Sequence, residues 1–397
     1  MNVVNIIYHK FFLPFLLGAS SILAFAPFNF YPLIFISIIS LLYITNKKGS
    51  SNIESFSFGN GFFIVGIYWI YICLQQFGGM PTSFALISTL ALCLFLSFFF
   101  LPFTLFNRYK ESIFFIPALF TIFELLRSII FTGFPWLSLG YSQVPNSPLM
   151  GYLPILGIHG VSFLVVLSSI LIFNIFKKKS KKYYLIIFLI VIWAVGENLK
   201  KIEWSEPIGE PVSVSLIQGN IPQDKKWDRN MIDESLINYQ ELVLKSNASL
   251  IILPETSMPI VFDKIPESFT KNIKEHLNRI DGHIILGAIE TGFYNSAFLI
   301  KKDVKQIYRK NHLVPFGEFI PLKKYLGYIY KNWLNIPFNS LKRGPKYNVP
   351  LFNIKNLDYA INICYEDVFG NEIASKAKYI SEPNVLVNLS NDAWYGE

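Results

Sequence analysis

Tyr359-Ala-Ile-Asn-Ile-Cys-Tyr-Glu-Asp367 is a short apolar run that ends in a thiol followed by a tyrosine and two acids. An apolar run of this length predicts a buried β-strand, one that delivers Cys364 to a turn opening with Tyr365, Glu366 and Asp367. A free cysteine behaves as a small hydrophobe and is among the most buried residue types, so taken alone Cys364 reads as core. Acids are an unusual finish for a core strand. Two segments far upstream decide between these readings.

The composition places the chain before any motif does. Of its 397 residues 52% are hydrophobic and 17% aromatic, and the mean hydropathy is +0.40; values so far from those of an ordinary soluble domain indicate a membrane protein. The net charge of +8 is unevenly placed, with 11 Lys/Arg against 4 Asp/Glu in residues 1–199 and 24 against 23 in the remainder. The basic excess thus belongs to the apolar half, which argues against nucleic-acid binding by the second half. Cys73 and Cys93 sit in apolar runs and Cys364 in the polar half. With no CxxC spacing or Cys/His cluster, neither a disulfide framework nor a zinc site is expected.

Apolar stretches near 11–28, 31–45, 56–75, 83–106, 112–131, 158–176 and 183–199 each approach the roughly 20 residues that cross a bilayer as helix. Seven spans are expected. Ala24-Phe25-Ala26 imitates a signal-peptide cleavage site, but Pro27 and a second apolar run follow, so the first stretch reads as an uncleaved helix. Every second connection is basic: Lys10, then Lys47 and Lys48, then Arg108 and Lys110, then Lys177, Lys178, Lys179, Lys181 and Lys182. The positive-inside rule puts those connections and the amino terminus in the cytoplasm, and seven crossings put everything after residue 200 outside.

The outer connections Gln76-Phe-Gly-Gly-Met-Pro81 and Thr132-Gly-Phe-Pro-Trp-Leu-Ser-Leu-Gly-Tyr141 are aromatic, Gly- and Pro-rich and uncharged. They read as an interfacial aromatic belt or as a surface holding lipid tails. Glu124 and Arg127 are three apart and share a helix face; intramembrane charges usually face the bundle interior, so the pair reads as a structural ion pair or as a headgroup contact. No internal repeat of the transporter kind is visible, and a transporter would leave the second half without a task.

After Pro211 the pattern changes to short β-rich runs: 212–217, 249–253, 283–289, 296–300, 304–308, 359–363 and 385–389. Ile232, Leu236, Tyr239 and Val243 recur on one face of a helix, and residues 266–280 read as another. Strands mixed with helices imply a layered α/β domain, in which active groups gather where strands end. Glu255, Lys310 and Cys364 each follow such a run. A thiol near a cation is more easily a thiolate, a carboxylate can take a proton during attack, and an ammonium can stabilise an oxyanion. Together they suffice for acyl transfer through a thioester.

Leu253-Pro-Glu-Thr256, Arg309-Lys-Asn-His-Leu-Val-Pro-Phe-Gly-Glu318 and Ile363-Cys-Tyr-Glu366, in this order, resemble the three catalytic motifs of the nitrilase superfamily. More closely the chain resembles the apolipoprotein N-acyltransferase family, bacterial inner-membrane enzymes that add the third acyl chain to lipoproteins. Phe77-Gly-Gly-Met-Pro81, Thr132-Gly-Phe-Pro-Trp136, Gly140-Tyr-Ser-Gln143, Gln218-Gly-Asn-Ile-Pro222, Lys226-Trp-Asp228, Tyr294-Asn-Ser296 and Asn388-Leu-Ser-Asn-Asp-Ala-Trp394 extend the resemblance over both halves.

The resemblance implies Glu255 as general base, Lys310 as oxyanion stabiliser and Cys364 as nucleophile. Glu318 matches a second acid of the family's site, and Trp227, Tyr365 and Glu366 match positions tied to activity or access. Glu318 and Glu366 read alternatively as surface ion pairs, Trp227 as packing, and His312 as structural. The implied architecture is a polytopic α-helical membrane domain, residues 1–200, followed by an extracytoplasmic α/β nitrilase-like (αββα) domain, residues 201–397. The implied reaction moves an acyl chain from a membrane phospholipid to Cys364, then to the α-amine of a diacylglyceryl-cysteine lipoprotein. It needs no metal or diffusible cofactor, and a monomer in the inner membrane with its site on the periplasmic side is expected. Family members continue beyond the point matching Glu397, so the catalytic domain is expected to be incomplete at its C-terminus. The readings left open are a fragment of an active enzyme, a truncated inactive form, and a membrane-anchored amidase.

Overall fold

The computed structural model describes residues 8–47, 49–177, 182–223, 226, 228–301, 304–319, 341–346, 349–379 and 382–395. The chain packs as two units: one holds residues up to 71 together with 86–208, the other residues 72–85 together with 209–397. The excursion of residues 72–85 into the second unit is not announced by any composition shift.

Every apolar stretch of residues 1–199 carries a helix: α1 (Leu13–Ser20), α2 (Pro32–Thr45), α3 (Asn52–Gly66), α4 (Thr82–Ser97), α5 (Phe115–Arg127), α6 (Leu153–Lys177) and α7 (Lys182–Leu199). Helix length departs from the expectation of seven full spans. Among the described residues three continuous helical runs are long and apolar enough to cross a membrane: Thr82–Tyr109, Pro148–Lys177 and Lys182–Leu199. Asn52–Gly66 and Trp69–Phe77 make a fourth only if their 52° bend is taken as one broken span. Breakers explain the shortening. The first apolar helix ends at Ala24, ahead of Pro27, and α5 ends before Phe131, Thr132 and Gly133, all at positive φ.

Without a hydrophobic force between helices in lipid, close packing must hold a bundle together. Gly18 on α1 and Gly61 on α3 permit it, since a Cβ on either would lie 1.9 Å from a carbonyl oxygen of the facing helix. Around this contact the rings of Phe58, Phe62, Phe63, Phe100, Phe103 and Phe120 interlock. Glu124 and Arg127 are both buried and 3.8 Å apart. Arg127 donates to the carbonyls of Phe134 and Trp136 and to Ser138 Oγ, and Glu124 accepts from Leu139 N at 2.8 Å. The pair therefore clamps the 134–139 backbone, which is the structural of its two readings.

The second unit contains two sheets. The larger is ordered β1 (Val214–Leu216), β2 (Leu250–Ile252), β4 (His283–Glu290), β5 (Tyr294–Ile300), β6 (Val304–Arg309), with β3 (Met258–Val261) on the far end of β4. β1, β2 and β4 are parallel and β4, β5 and β6 antiparallel. The smaller joins β7 (Phe352–Ile354) to β8 (Leu357–Ile363) as a hairpin, with β9 (Val385–Leu389) parallel to β8. Alternation along β4 assigns the layers. Ile284 and Leu286 face helices α8 (Arg229–Lys245) and α9 (Glu267–Arg279) through Leu236, Tyr239, Val243, Phe269, Ile273 and Leu277. Ile285 faces the other way, into a core shared with Phe352, Ile354, Tyr359, Ile361, Ile363 and Leu389 of the smaller sheet. α10 (Gly370–Tyr379) connects β8 to β9, and its Lys376 donates to Asn362 Oδ1 at 2.6 Å. Helix, sheet, sheet and helix thus follow one another.

The seven predicted strands and both predicted helices are present, within about two residues at each end, the usual disagreement between ways of bounding an element. β3 and β7 were not expected. β3 contains Pro259 and makes two register pairs, and β7 has three residues with Asn353 at its centre, so neither shows a readable alternation.

Candidate active site

Glu255 sits in the break between β2 and β3. The chain can turn there because Gly287 lies beneath it: a Cβ on Gly287 would lie 2.6 Å from Pro254 O, 2.7 Å from Thr256 N and 2.9 Å from Glu255 Cα. Thr256 takes φ +45°, a conformation rare for a β-branched residue. Lys310 leaves the end of β6, its amide held by Asn295 O at 2.8 Å. Cys364 ends β8 with φ +52° and opens the turn Cys364–Val368. Outliers of this kind, here at two of three adjoining strand ends, are typical of functional sites.

The structure brings the expected triad together. Lys310 Nζ is 3.2 Å from Glu255 Oε1 and 3.0 Å from Glu318 Oε2, and Lys310 itself is fully buried. Burial opposes its charge, yet Glu255, Glu318 and Cys364 hold its pKa well above the ordinary value. Burial likewise pushes the Glu255 carboxyl up, but Lys310, the Asn295 hydrogen bond and Lys226 together keep it below the ordinary carboxylate value. Lysine and glutamate are therefore both charged at neutral pH.

Cys364 behaves differently from the sequence-based expectation of an eased thiolate. The residue as a whole is half-buried, but its thiol lies in a dense setting where burial and then Glu255 raise its pKa to about 12, against lowering by Lys310 and a Ser390 hydrogen bond. At rest the Cys364 side chain is a neutral thiol. A charged carboxylate near a protonated thiol can accept its proton.

Glu318 and Glu366 are not solvated surface pairs. Glu318 accepts from Lys310, from Asn295 Nδ2 at 2.8 Å and from Val314 N at 2.8 Å. Glu366 is 2% exposed and accepts from Asn311 N, His312 N, Tyr308 Oη and Ile363 N, so it ties the Lys310 segment to the Cys364 strand. Tyr365 packs edge-on to Phe369, and His312 stacks on Phe369 with Nδ1 3.0 Å from Glu372 Oε1. Trp227 lies outside the described residues. Among the described residues no group of three or more His, Cys, Asp or Glu side chains is placed to hold a metal ion.

Two residues quoted only within longer motifs prove central. Asn295 Nδ2 donates to Oε1 of both Glu255 (2.7 Å) and Glu318 (2.8 Å). Lys226 is buried beneath the Glu255 turn. An asparagine at a strand start between a tyrosine and a serine carries no local sign of bridging two carboxylates, and a lysine in a polar segment reads as surface. The turn Asp392–Tyr395 after β9 lies against Cys73–Phe77 of the 72–85 excursion.

Residues 17–171 match the family described as the apolipoprotein N-acyltransferase N-terminal domain, and residues 213–397 match the carbon-nitrogen hydrolase family. The apolipoprotein N-acyltransferase of Nitrosomonas europaea is 38% identical over 98% of this chain and 80% of its own length. The protein of that name from Coxiella burnetii is 34% identical over 95% and 80%, and the one from Chromobacterium violaceum 32% identical over 96% and 76%.

Proposed function

This chain belongs to the apolipoprotein N-acyltransferase family, and we propose that it moves an acyl chain from a membrane phospholipid, through a thioester on Cys364, to the α-amine of a lipoprotein's N-terminal diacylglyceryl-cysteine. The observation that carries this reading is the meeting of a charged carboxylate, a charged ammonium and a neutral thiol at three strand ends.

Cys364 Sγ attacks the ester carbonyl carbon while its proton passes to Glu255, and the Lys310 ammonium stabilises the oxyanion that forms. The ester C–O bond breaks, the proton returns from Glu255 to the departing alkoxide, and a lysophospholipid leaves. The α-amine then attacks the thioester and loses its proton to Glu255. The C–S bond breaks, the sulfur is reprotonated, and an amide is released. Glu318 and Asn295 hold Lys310 and Glu255 in register, and Glu366 holds the turn that aims Cys364. Both substrates are lipids, which fits helices long and apolar enough to cross a membrane. On this reading the chain works as a monomer in the bacterial inner membrane with its site on the periplasmic side; the alternation of basic connections supports that orientation.

The test is to insert the protein in vesicles of radiolabelled phosphatidylethanolamine and look for a hydroxylamine-labile adduct on Cys364. It should form in the wild type and be lost in Cys364→Ala. A well-inserted wild-type protein that takes no label overturns acyl transfer, and ammonia release from a small amide without lipid would replace it with amide hydrolysis.

A further inference from the structure

The proposed reaction uses one lysine, yet a second is buried against the same base. Lys226, in the segment between β1 and α8, is 5% exposed. Its ammonium donates to Glu255 O at 3.3 Å and to Thr256 Oγ1 at 2.7 Å. These are the two residues of the tight turn over Gly287, and the bond to the threonine hydroxyl holds the one that adopts positive φ.

The charges of the site call for a second cation. Glu255 and Glu318 share Lys310 between them, so with Lys310 alone the cluster is net negative and a thiolate would be a third anion in a buried place. Like charges in a shared site oppose ionisation. We propose that Lys226 is a positioning residue of this site: its two hydrogen bonds set the Glu255 turn, and its positive charge offsets the second carboxylate so that the Cys364 proton can leave. This rests on the acyl-transfer reading for its purpose, though the geometry stands without it.

The titratable groups that face Lys226 are Glu255 and Cys364, with Lys310 and Glu318 behind Glu255. Burial, opposed by Glu255 and Cys364, brings the Lys226 pKa down to about 8. The ammonium is therefore present at neutral pH and lost in mildly alkaline solution, while Lys310 keeps its proton. Assistance to the thiol should fade over the same interval.

The experiment follows iodoacetamide alkylation of Cys364 in the full chain, in phospholipid vesicles, from about pH 6 to about pH 10, a range spanning ordinary thiol titration. Peptide-resolved mass spectrometry separates Cys364 from Cys73 and Cys93. In the wild type the logarithm of the rate should rise with pH and bend to a shallower slope near pH 8. Lys226→Met should show no bend, react about tenfold more slowly at neutral pH, one pKa unit of thiol acidity, and converge on the wild type above the bend. Lys226→Arg should stay fast without a bend, because a guanidinium keeps its charge. A wild-type profile without a bend, a Lys226→Met profile parallel to wild type throughout, or a bend that persists in Lys226→Arg overturns the proposal; the arginine variant decides if the methionine variant fails to fold. A wild-type Cys364 that alkylates but accepts no acyl chain from the vesicle lipid counts against acyl transfer and leaves this test intact.

Discussion

Tyr308 donates its hydroxyl to Glu366 Oε2 at 2.6 Å, joining the strand that ends at Lys310 to the turn that begins at Cys364. Glu366 also accepts from three backbone amides, of Asn311, His312 and Ile363. Glu366→Gln leaves one accepting oxygen for four donors and points an N–H at others, so it should cost about 3 kcal/mol, the penalty of a buried unsatisfied group. Tyr308→Phe keeps the three amide bonds and should cost about 1 kcal/mol. Thermal unfolding of both variants checks the order; equal losses would mean that Glu366 acts through Tyr308 alone.

Gly287→Ala puts a methyl group into the backbone of the Glu255 turn, where no side chain can swing aside. Overpacking of this kind should cost about 1–3 kcal/mol. Displacing the base by a fraction of an ångström should also slow thioester formation, by up to about 100-fold for a full 1 Å. The readout is labelled-phospholipid transfer to Cys364, with unfolding measured on the same sample. Full transfer with unchanged stability would show that the turn relaxes freely.

Asn295→Asp replaces the donor shared by Glu255 and Glu318 with a third carboxylate. Burial alone raises the Glu255 pKa, and Lys310, Asn295 and Lys226 bring it below the ordinary value. Its charge therefore contributes stability above its unfolded pKa, about 4.3, and that contribution is lost as pH falls through the folded value. The wild-type unfolding temperature should hold from neutral pH down to that region and then drop. In Asn295→Asp the drop should begin at higher pH, and acyl transfer at neutral pH should fall about 100-fold, the low end of a general base's contribution. Superimposable pH–stability curves would rule out the bridging role.

Arg127→Met removes the donor to Phe134 O, Trp136 O and Ser138 Oγ and leaves Glu124 buried. Breaking a buried pair from one side should cost about 3–5 kcal/mol. Arg127→Lys should recover little, because a single ammonium cannot reach three acceptors in the guanidinium's fork. Unfolding in detergent, followed by tryptophan fluorescence, checks both, and a lysine variant as stable as wild type would reduce the pair to simple charge.

Much of the second unit was legible because its signals are local. The β4 run His283–Glu290 is apolar nearly throughout, as a strand covered by helices on one side and a sheet on the other must be. The four-three-four spacing of Ile232, Leu236, Tyr239 and Val243 needs only neighbours on one helix. The first unit was legible in position but not in length: hydropathy marks where an apolar helix starts but carries no sign of the positive-φ breaks at Gly157 within α6 and at residues 131–133 after α5.

The sequence alone determined that Glu255, Lys310 and Cys364 stand at strand ends, since alternation and run length place a residue along its own strand without reference to any other. Only the tertiary structure decided what their neighbours do to them. Asn295 reaches Glu255 across 40 positions of chain and Glu366 reaches Tyr308 across 58. Charge and desolvation act through distance in space, so the cation that should have eased the Cys364 proton is outweighed by burial and by Glu255, and Lys226, silent in the sequence, lies beneath the Glu255 turn.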